Sequence, residues 1–176
     1  REVKKLQDKN VKVDTYVDYR ELMEDKSIDA VILPVPDHWH GLMTVWACQA
    51  GKHVYVEKPA SYNIWEGRKM VEAARKYNRI VCVGSQERSD TGLRAFAEHF
   101  KKGALGKVQY ARAISYGIRP SIGKVNGPQP IPETCDYNLF QGPASMAPLM
   151  RKTLHYDWHW CWPTGTGEIG NLGGHV

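Results

Sequence analysis

What most restricts this chain is the order in which apolar runs and helical stretches follow one another between Ala30 and Val83. Ala30 to Val35 is a continuous apolar run closed by Pro36, the pattern of a strand buried on both faces of a parallel sheet. His38 to Ala50 is apolar nearly all round and stops at Gly51, as a buried helix with a glycine cap does. A second strand, His53 to Val56, follows at once. Asn63 and Glu66 then stand at capping-box spacing, Ile64, Gly67, Val71 and Ala74 share one helical face, and Arg79 to Val83 resumes as strand. Two successive helix-then-strand units require right-handed crossovers, which predicts an α/β Rossmann-type, doubly wound parallel sheet.

The flanks read differently. Residues 1 to 17 are polar and suggest a helix end and an irregular connection, after which Asp18 and Glu21 open a short helix through about Lys26. Beyond Gly84 the spacing predicts a helix from Thr91 to Lys102 capped by Gly103, then a long strand from Lys107 to Tyr116. Arg119 to Pro132 is rich in Pro and Gly, carries no periodicity, and reads as a loop over a second domain. The boundary falls near Arg88, giving units of residues 1–87 and 88–176.

Composition narrows the function classes. The 24 Lys and Arg against 19 acidic residues give a net charge of +5, but the basic residues are scattered. That distribution favours a mild attraction for anionic ligands, such as a phosphorylated cofactor, over nucleic-acid binding. Cys48, Cys82, Cys135 and Cys161 lie far apart without a CxxC pair, which favours reduced core thiols over disulfides or zinc ligands. No apolar run reaches the length of a membrane span. The chain opens on Arg1 and not Met, so a cytoplasmic and a periplasmic home are both open.

Ligands of open parallel sheets collect at the carboxyl ends of the strands, where helix N-termini present free donors. Three segments meet that rule: Pro34 to His40, Glu57-Lys58-Pro59, and Gly84-Ser85-Gln86. Lys58 stands between a carboxylate and a proline that restricts it to extended geometry, and the Lys58–Pro59 bond has access to the cis form. Such a lysine suits proton transfer with an alcohol, and a surface turn is the alternative that the tripeptide alone leaves open. Pro36 and Asp37 suit a helix start, with Asp37 as N-cap or as a wall for a nucleotide ribose. His38 and His40 lack the further ligands that a metal needs. In His155 to Trp162, alternation sends Tyr156, Trp158, Trp160 and Trp162 to one face, suited to stacking on sugar rings or to a packed sheet core. The spacing of Gly165, Gly167 and Gly170 imitates a phosphate-loop fingerprint, without a preceding strand or, by this reading, a following helix.

The runs Asp29 to His40, Ala50 to Pro59 and Val81 to Glu87, with Gly103 to Val108 and the Trp-rich, Gly-rich end, resemble the Gfo/Idh/MocA oxidoreductases, the group of glucose–fructose oxidoreductase and inositol dehydrogenase. The resemblance implies a Rossmann domain for NAD or NADP and an α+β domain with an open, mainly antiparallel sheet that carries substrate and mediates homo-oligomers. It implies hydride transfer between the nicotinamide and a secondary alcohol of a sugar, polyol or glycoside. Lys58 matches the family's catalytic lysine, and Pro36, Asp37, His40, Glu57 and Gln86 match positions lining the cofactor. Asn171 and His175 keep the separation of the family's substrate-side Asp and His, with His175 hydrogen-bonding or relaying a proton from the substrate hydroxyl and Trp160 on the sugar. An amide at 171 cannot act as a base. The resemblance also implies that the first strand, the glycine-rich loop and the ribose-binding acid, about fifty residues by Rossmann spacing, precede Arg1, so that the chain alone binds cofactor poorly. Two further readings stay open: a glycosidase that oxidises its substrate transiently with NAD, and a sugar- or cofactor-binding protein without chemistry.

Overall fold

The computed structural model describes residues 2–9, 11–114, 116–117 and 119–175. After α1 (Glu2–Gln7) and α2 (Tyr19–Glu24) come β1 (Ala30–Leu33), α3 (Asp37–Gln49), β2 (His53–Glu57), α4 (Ile64–Lys76) and β3 (Val81–Gly84). The strands form one parallel sheet in the order β1-β2-β3, with Val31 opposite Val54 and Val54 opposite Val81. Because the order advances in one direction, both right-handed crossovers lay their helices on the same face. Val31, Leu33, Val54 and Val56 therefore pack with Met43, Ala47 and Cys48 of α3 and Met70 and Ala73 of α4 in one buried core. The opposite face is bare among the described residues, with Ile32 69% exposed, so the helices expected on both faces occupy only one.

Local chemistry explains the element ends. Asp18 accepts from the backbone N–H of Arg20 at the start of α2, and Asn63 accepts from that of Glu66 at the start of α4. Glu66 completes its capping box one residue early, accepting from the N–H of Tyr62. The helix α3 begins on Pro36, so Asp37 is its first residue and not its cap, and no side chain caps it. Lys52 is 1% exposed and donates to the carbonyls of Asp25 and Ile28 at 2.6 and 2.9 Å, satisfying backbone groups where α2 turns into β1.

Past β3 the sequence expectation holds for α5 (Thr91–Lys101), which Asp90 caps through the N–H of Leu93. It fails for the strand from Lys107 to Tyr116. The described residues of that stretch carry no strand, and Tyr110 and Tyr116 are 77% and 85% exposed. Strand propensity needs a partner edge to become a strand, and the described residues of this stretch pair with none. Ser115 lies outside the described residues. Further on stand the short α6 (Tyr137–Gln141) and α7 (Gly167–Leu172), so a helix runs through the clustered glycines where the sequence predicts none, though no strand precedes it.

The aromatic run is likewise no strand. Asp157–Trp160 is a 3-10 turn, and the chain folds back on itself: Gly165 N–H donates to the Cys161 carbonyl at 2.9 Å and Thr164 Oγ1 to that of Trp158 at 2.9 Å. A Cβ on Gly165 would stand 2.3 Å from the carbonyl oxygen of His159, so only glycine admits this fold-back. Alternation is lost with it. Trp158 is buried, Trp160 is half-buried and Trp162 is 88% exposed.

Candidate functional site

Parallel strands in register end together, and here the ends of β1, β2 and β3 bring Pro36, Glu57 with Lys58, and Gln86 to one rim. Gln86 opens an exposed 3-10 turn, Gln86–Ser89. The peptide bond between Lys58 and Pro59 is cis. Lys58 Nζ donates to the backbone carbonyl of Asn171 at 2.7 Å and to its side-chain Oδ1 at 3.2 Å. The end of β2 is thus joined to α7 across 113 positions of sequence.

The C-terminal segment is held against the rim by a second contact. Asp37, 2% exposed at the first turn of α3, accepts from the backbone N–H of Thr166 at 3.0 Å and from its hydroxyl. A carboxylate at a helix start is favoured by the helix dipole, and these two donors stand in for water. Gly174 lies against Lys58, where a Cβ would be 3.8 Å from that of the lysine. His175 follows, lining a cavity of about 380 Å³ with Glu87, Arg88 and Arg94. Its Nδ1 is buried and has no hydrogen-bond partner among the described residues.

The two histidines of α3 play another part. His40, 1% exposed, sets one ring nitrogen 2.6 Å from the Pro59 carbonyl and the other 2.8 Å from that of Val35. With both nitrogens engaged it braces two strand ends from beneath the rim, and its ring has no polar atom left for a ligand. His38 lies between the carbonyls of Thr164 and Phe140, at 3.0 and 2.9 Å. Neither ring is free as a metal ligand. Among the described residues no group of three His, Cys, Asp or Glu side chains is placed to hold a metal ion.

Burial pushes the His38 imidazole below its usual range, against the opposing pull of the Phe140 and Thr164 carbonyls. A depressed folded pKa contributes stability that is present above the unfolded value of about 6.5 and is lost as pH falls through the folded value. Thermal unfolding midpoints should therefore fall as pH is lowered below about 6.5. Burial also pushes the Glu66 carboxyl up, with the opposite sign against pH, so a variant must isolate the histidine. His38→Gln should flatten the acid limb, and an unaltered limb in that variant overturns the assignment.

Several residues at this site carried no sequence signal. Thr166, Arg119 and Glu168 meet the others only through folding. Arg119 Nε donates to Glu168 at 2.8 Å, and its guanidinium lies 4.5 Å from the Trp160 ring centroid. That ion pair holds the Glu168 carboxyl below the usual range. Trp160 Nε1 donates to the same carboxylate at 3.3 Å, so Trp160 stands beside α7, the helix that meets Lys58.

The arrangement pairs a strand-end lysine with a helix from the distal half of the chain, over a rim built as nucleotide sites are built. Residues 1–85 match the Gfo/Idh/MocA family, described as an oxidoreductase family with an NAD-binding Rossmann fold. These residues, just under half of the chain, are similar to that family. The chain is 28% identical over 127 residues to the myo-inositol 2-dehydrogenase of Thermotoga maritima, a match covering 72% of this chain and 34% of that protein. It is 32% identical over 95 residues to the scyllo-inositol 2-dehydrogenase (NAD(+)) of Bacillus subtilis, covering 54% and 28%. The crystal structure of myo-inositol 2-dehydrogenase from Lactobacillus plantarum superposes with a TM-score of 0.53 at 28% identity, covering 58% of this chain and 30% of that one. The chain spans about a third of the length of these Gfo/Idh/MocA relatives.

Proposed function

We propose that the protein is an NAD(P)-dependent oxidoreductase that moves a hydride between the nicotinamide and a secondary alcohol of a sugar, polyol or glycoside. The observation that carries this reading is Lys58 at the end of β2, within the family match and held by Asn171. The inositol dehydrogenases among its relatives are named for polyol substrates, which supports the substrate class.

The rim fits a dinucleotide in part. The exposed Gln86 and the Glu57 carboxylate leave open polar groups there, and the orphaned Nδ1 of His175 lies on the neighbouring segment. In this reading Pro36, Asp37, Glu57, Lys58 and Gln86 form the wall toward the cofactor, with His40 supporting them from below. The nicotinamide, when bound, supplies the hydride acceptor or donor. Lys58 exchanges the hydroxyl proton of the substrate, so that hydride loss leaves a neutral carbonyl. His175 hydrogen-bonds the same hydroxyl, and Asn171 orients Lys58 through its carbonyl without taking a proton.

Residues 1–87 contribute to the NAD(P)-binding domain and residues 88–176 to a second, α+β domain with an open sheet. The bare face bearing Ile32 and the exposed, alternating residues from Lys107 onward support both parts: helices on a second face and a partner strand would cover them. The test uses protein purified from the cells that make it, denatured to release nucleotide, and the native protein assayed at the reduced-nicotinamide absorbance band against sugars and polyols. Substrate-dependent change at that band is expected. Bound nucleotide with no change, or release of an aglycone without net redox, overturns the dehydrogenase reading in favour of a binding protein or a transient-redox glycosidase.

A further inference from the structure

Three cavities adjoin one another along the aromatic run and share its tryptophans. One, of about 310 Å³, is lined by Arg119, Lys152, Tyr156, Asp157 and Trp160. The next, of about 200 Å³, has Trp160 and Trp162 as walls, with Thr166 and two glycines between them. The third, of about 390 Å³, begins at Trp162 and is completed by Tyr62, Asn63, Glu66 and Ser145. Each tryptophan is thus a shared wall between neighbours. Together they approach the upper part of the roughly 300–1,000 Å³ range of small-molecule sites.

The run is tied to the lysine site at two places. Glu168 binds Arg119 and Trp160 and lies one helical turn before Asn171, the partner of Lys58. At the other end the Tyr62 hydroxyl donates to the Trp162 carbonyl, so the loop leaving Lys58 forms the far wall. Trp162 is 88% exposed, an indole that the described residues do not cover. Flat aromatic faces with carboxylate, amide and hydroxyl groups along the sides suit a chain of pyranose rings, whose C–H faces stack while their hydroxyls find polar partners.

We infer that the substrate site continues from Lys58 along Trp160 and Trp162 as a trough with further ring subsites, so that the substrate is an oligosaccharide and not a free polyol. This rests on the proposed sugar chemistry at Lys58. The aromatic walls set the affinity by ring count, and each ring stacked in the trough should tighten binding about tenfold.

The test is tryptophan fluorescence and calorimetric titration of the full protein with gluco-, xylo-, chito- and galacturono-oligosaccharides of one to four rings, run beside the nicotinamide absorbance assay. In at least one series the Kd should fall about tenfold per ring up to three rings. Trp162→Ala should shrink the ratio between one-ring and three-ring affinities at least tenfold, and Trp162→Phe should restore most of it. An equal Kd at every length, an unchanged ratio in Trp162→Ala, or binding of no series overturns the trough. Length-dependent binding without any absorbance change upholds the trough and overturns the redox reading, so the two fail separately.

Discussion

Lys58→Ala is expected to lower kcat for sugar oxidation by roughly 10²–10⁴, the usual contribution of a positioned proton-transfer group. Nucleotide affinity, read from quenching of nicotinamide fluorescence, should change far less. The lysine stands at the carboxyl end of β2 and donates hydrogen bonds to Asn171, so removing it should take away the proposed proton exchange while the strand-end backbone stays in place. Lys58→Arg should be nearly as inactive, because a guanidinium keeps the charge and cannot give up its proton. Rescue of Lys58→Ala by added alkylamines would support the assignment. A variant with near-normal kcat, or one that loses nucleotide affinity in step with turnover, would show that the residue holds cofactor and transfers no proton.

The second large effect is on stability. Asp37→Ala removes the acceptor for both the N–H and the hydroxyl of Thr166. Hydrogen bonds to a buried charge contribute about 1.5–3 kcal/mol each, and part of that is returned as relief of carboxylate desolvation, so a net loss of about 3 kcal/mol is expected. Urea unfolding should show it as a lowered midpoint at constant slope, and limited proteolysis should cut first between Thr164 and Gly174. Thr166→Val removes only the hydroxyl and should cost about 1 kcal/mol. Because the two side chains share one contact, the double variant should fall short of the sum of the single ones. Additive costs would mean that the contact does not couple the segments, and the C-terminal run would then need another anchor.

The strand–helix alternation was legible because buried parallel strands leave continuous apolar runs, and because Asp18 and Asn63 announce helix starts in a few residues. Strand ends came out within a residue or two. The second half was harder to read for a physical reason. From Lys107 to Tyr116 the side chains alternate as in a strand, yet a strand forms only against a partner edge, and the described residues of this stretch meet none. In His155 to Trp162 the same alternation is broken by Gly165, whose missing Cβ lets Thr164 turn the chain back onto Trp158. Local pattern contains no information about that close approach.

The site divides in the same way. Lys58, Pro36, Glu57 and Gln86 were visible from sequence because they follow strands at a position where open parallel sheets collect ligands. The contacts that complete the site join residues 49 to 129 positions apart: Arg119 with Glu168, Lys58 with Asn171, Asp37 with Thr166. No spacing rule reaches across such separations, since each pairing depends on how the packed chain brings distant segments together. The sequence by itself determined the order of strands and helices, the rim on which polar groups gather and the lysine placed there, all consequences of short-range periodicity and backbone restriction. Only the tertiary structure decided that His40 is a buried brace, that Asp37 clamps the distal segment, and that the tryptophans line a row of cavities, because burial and hydrogen-bond partnership are properties of the packed chain.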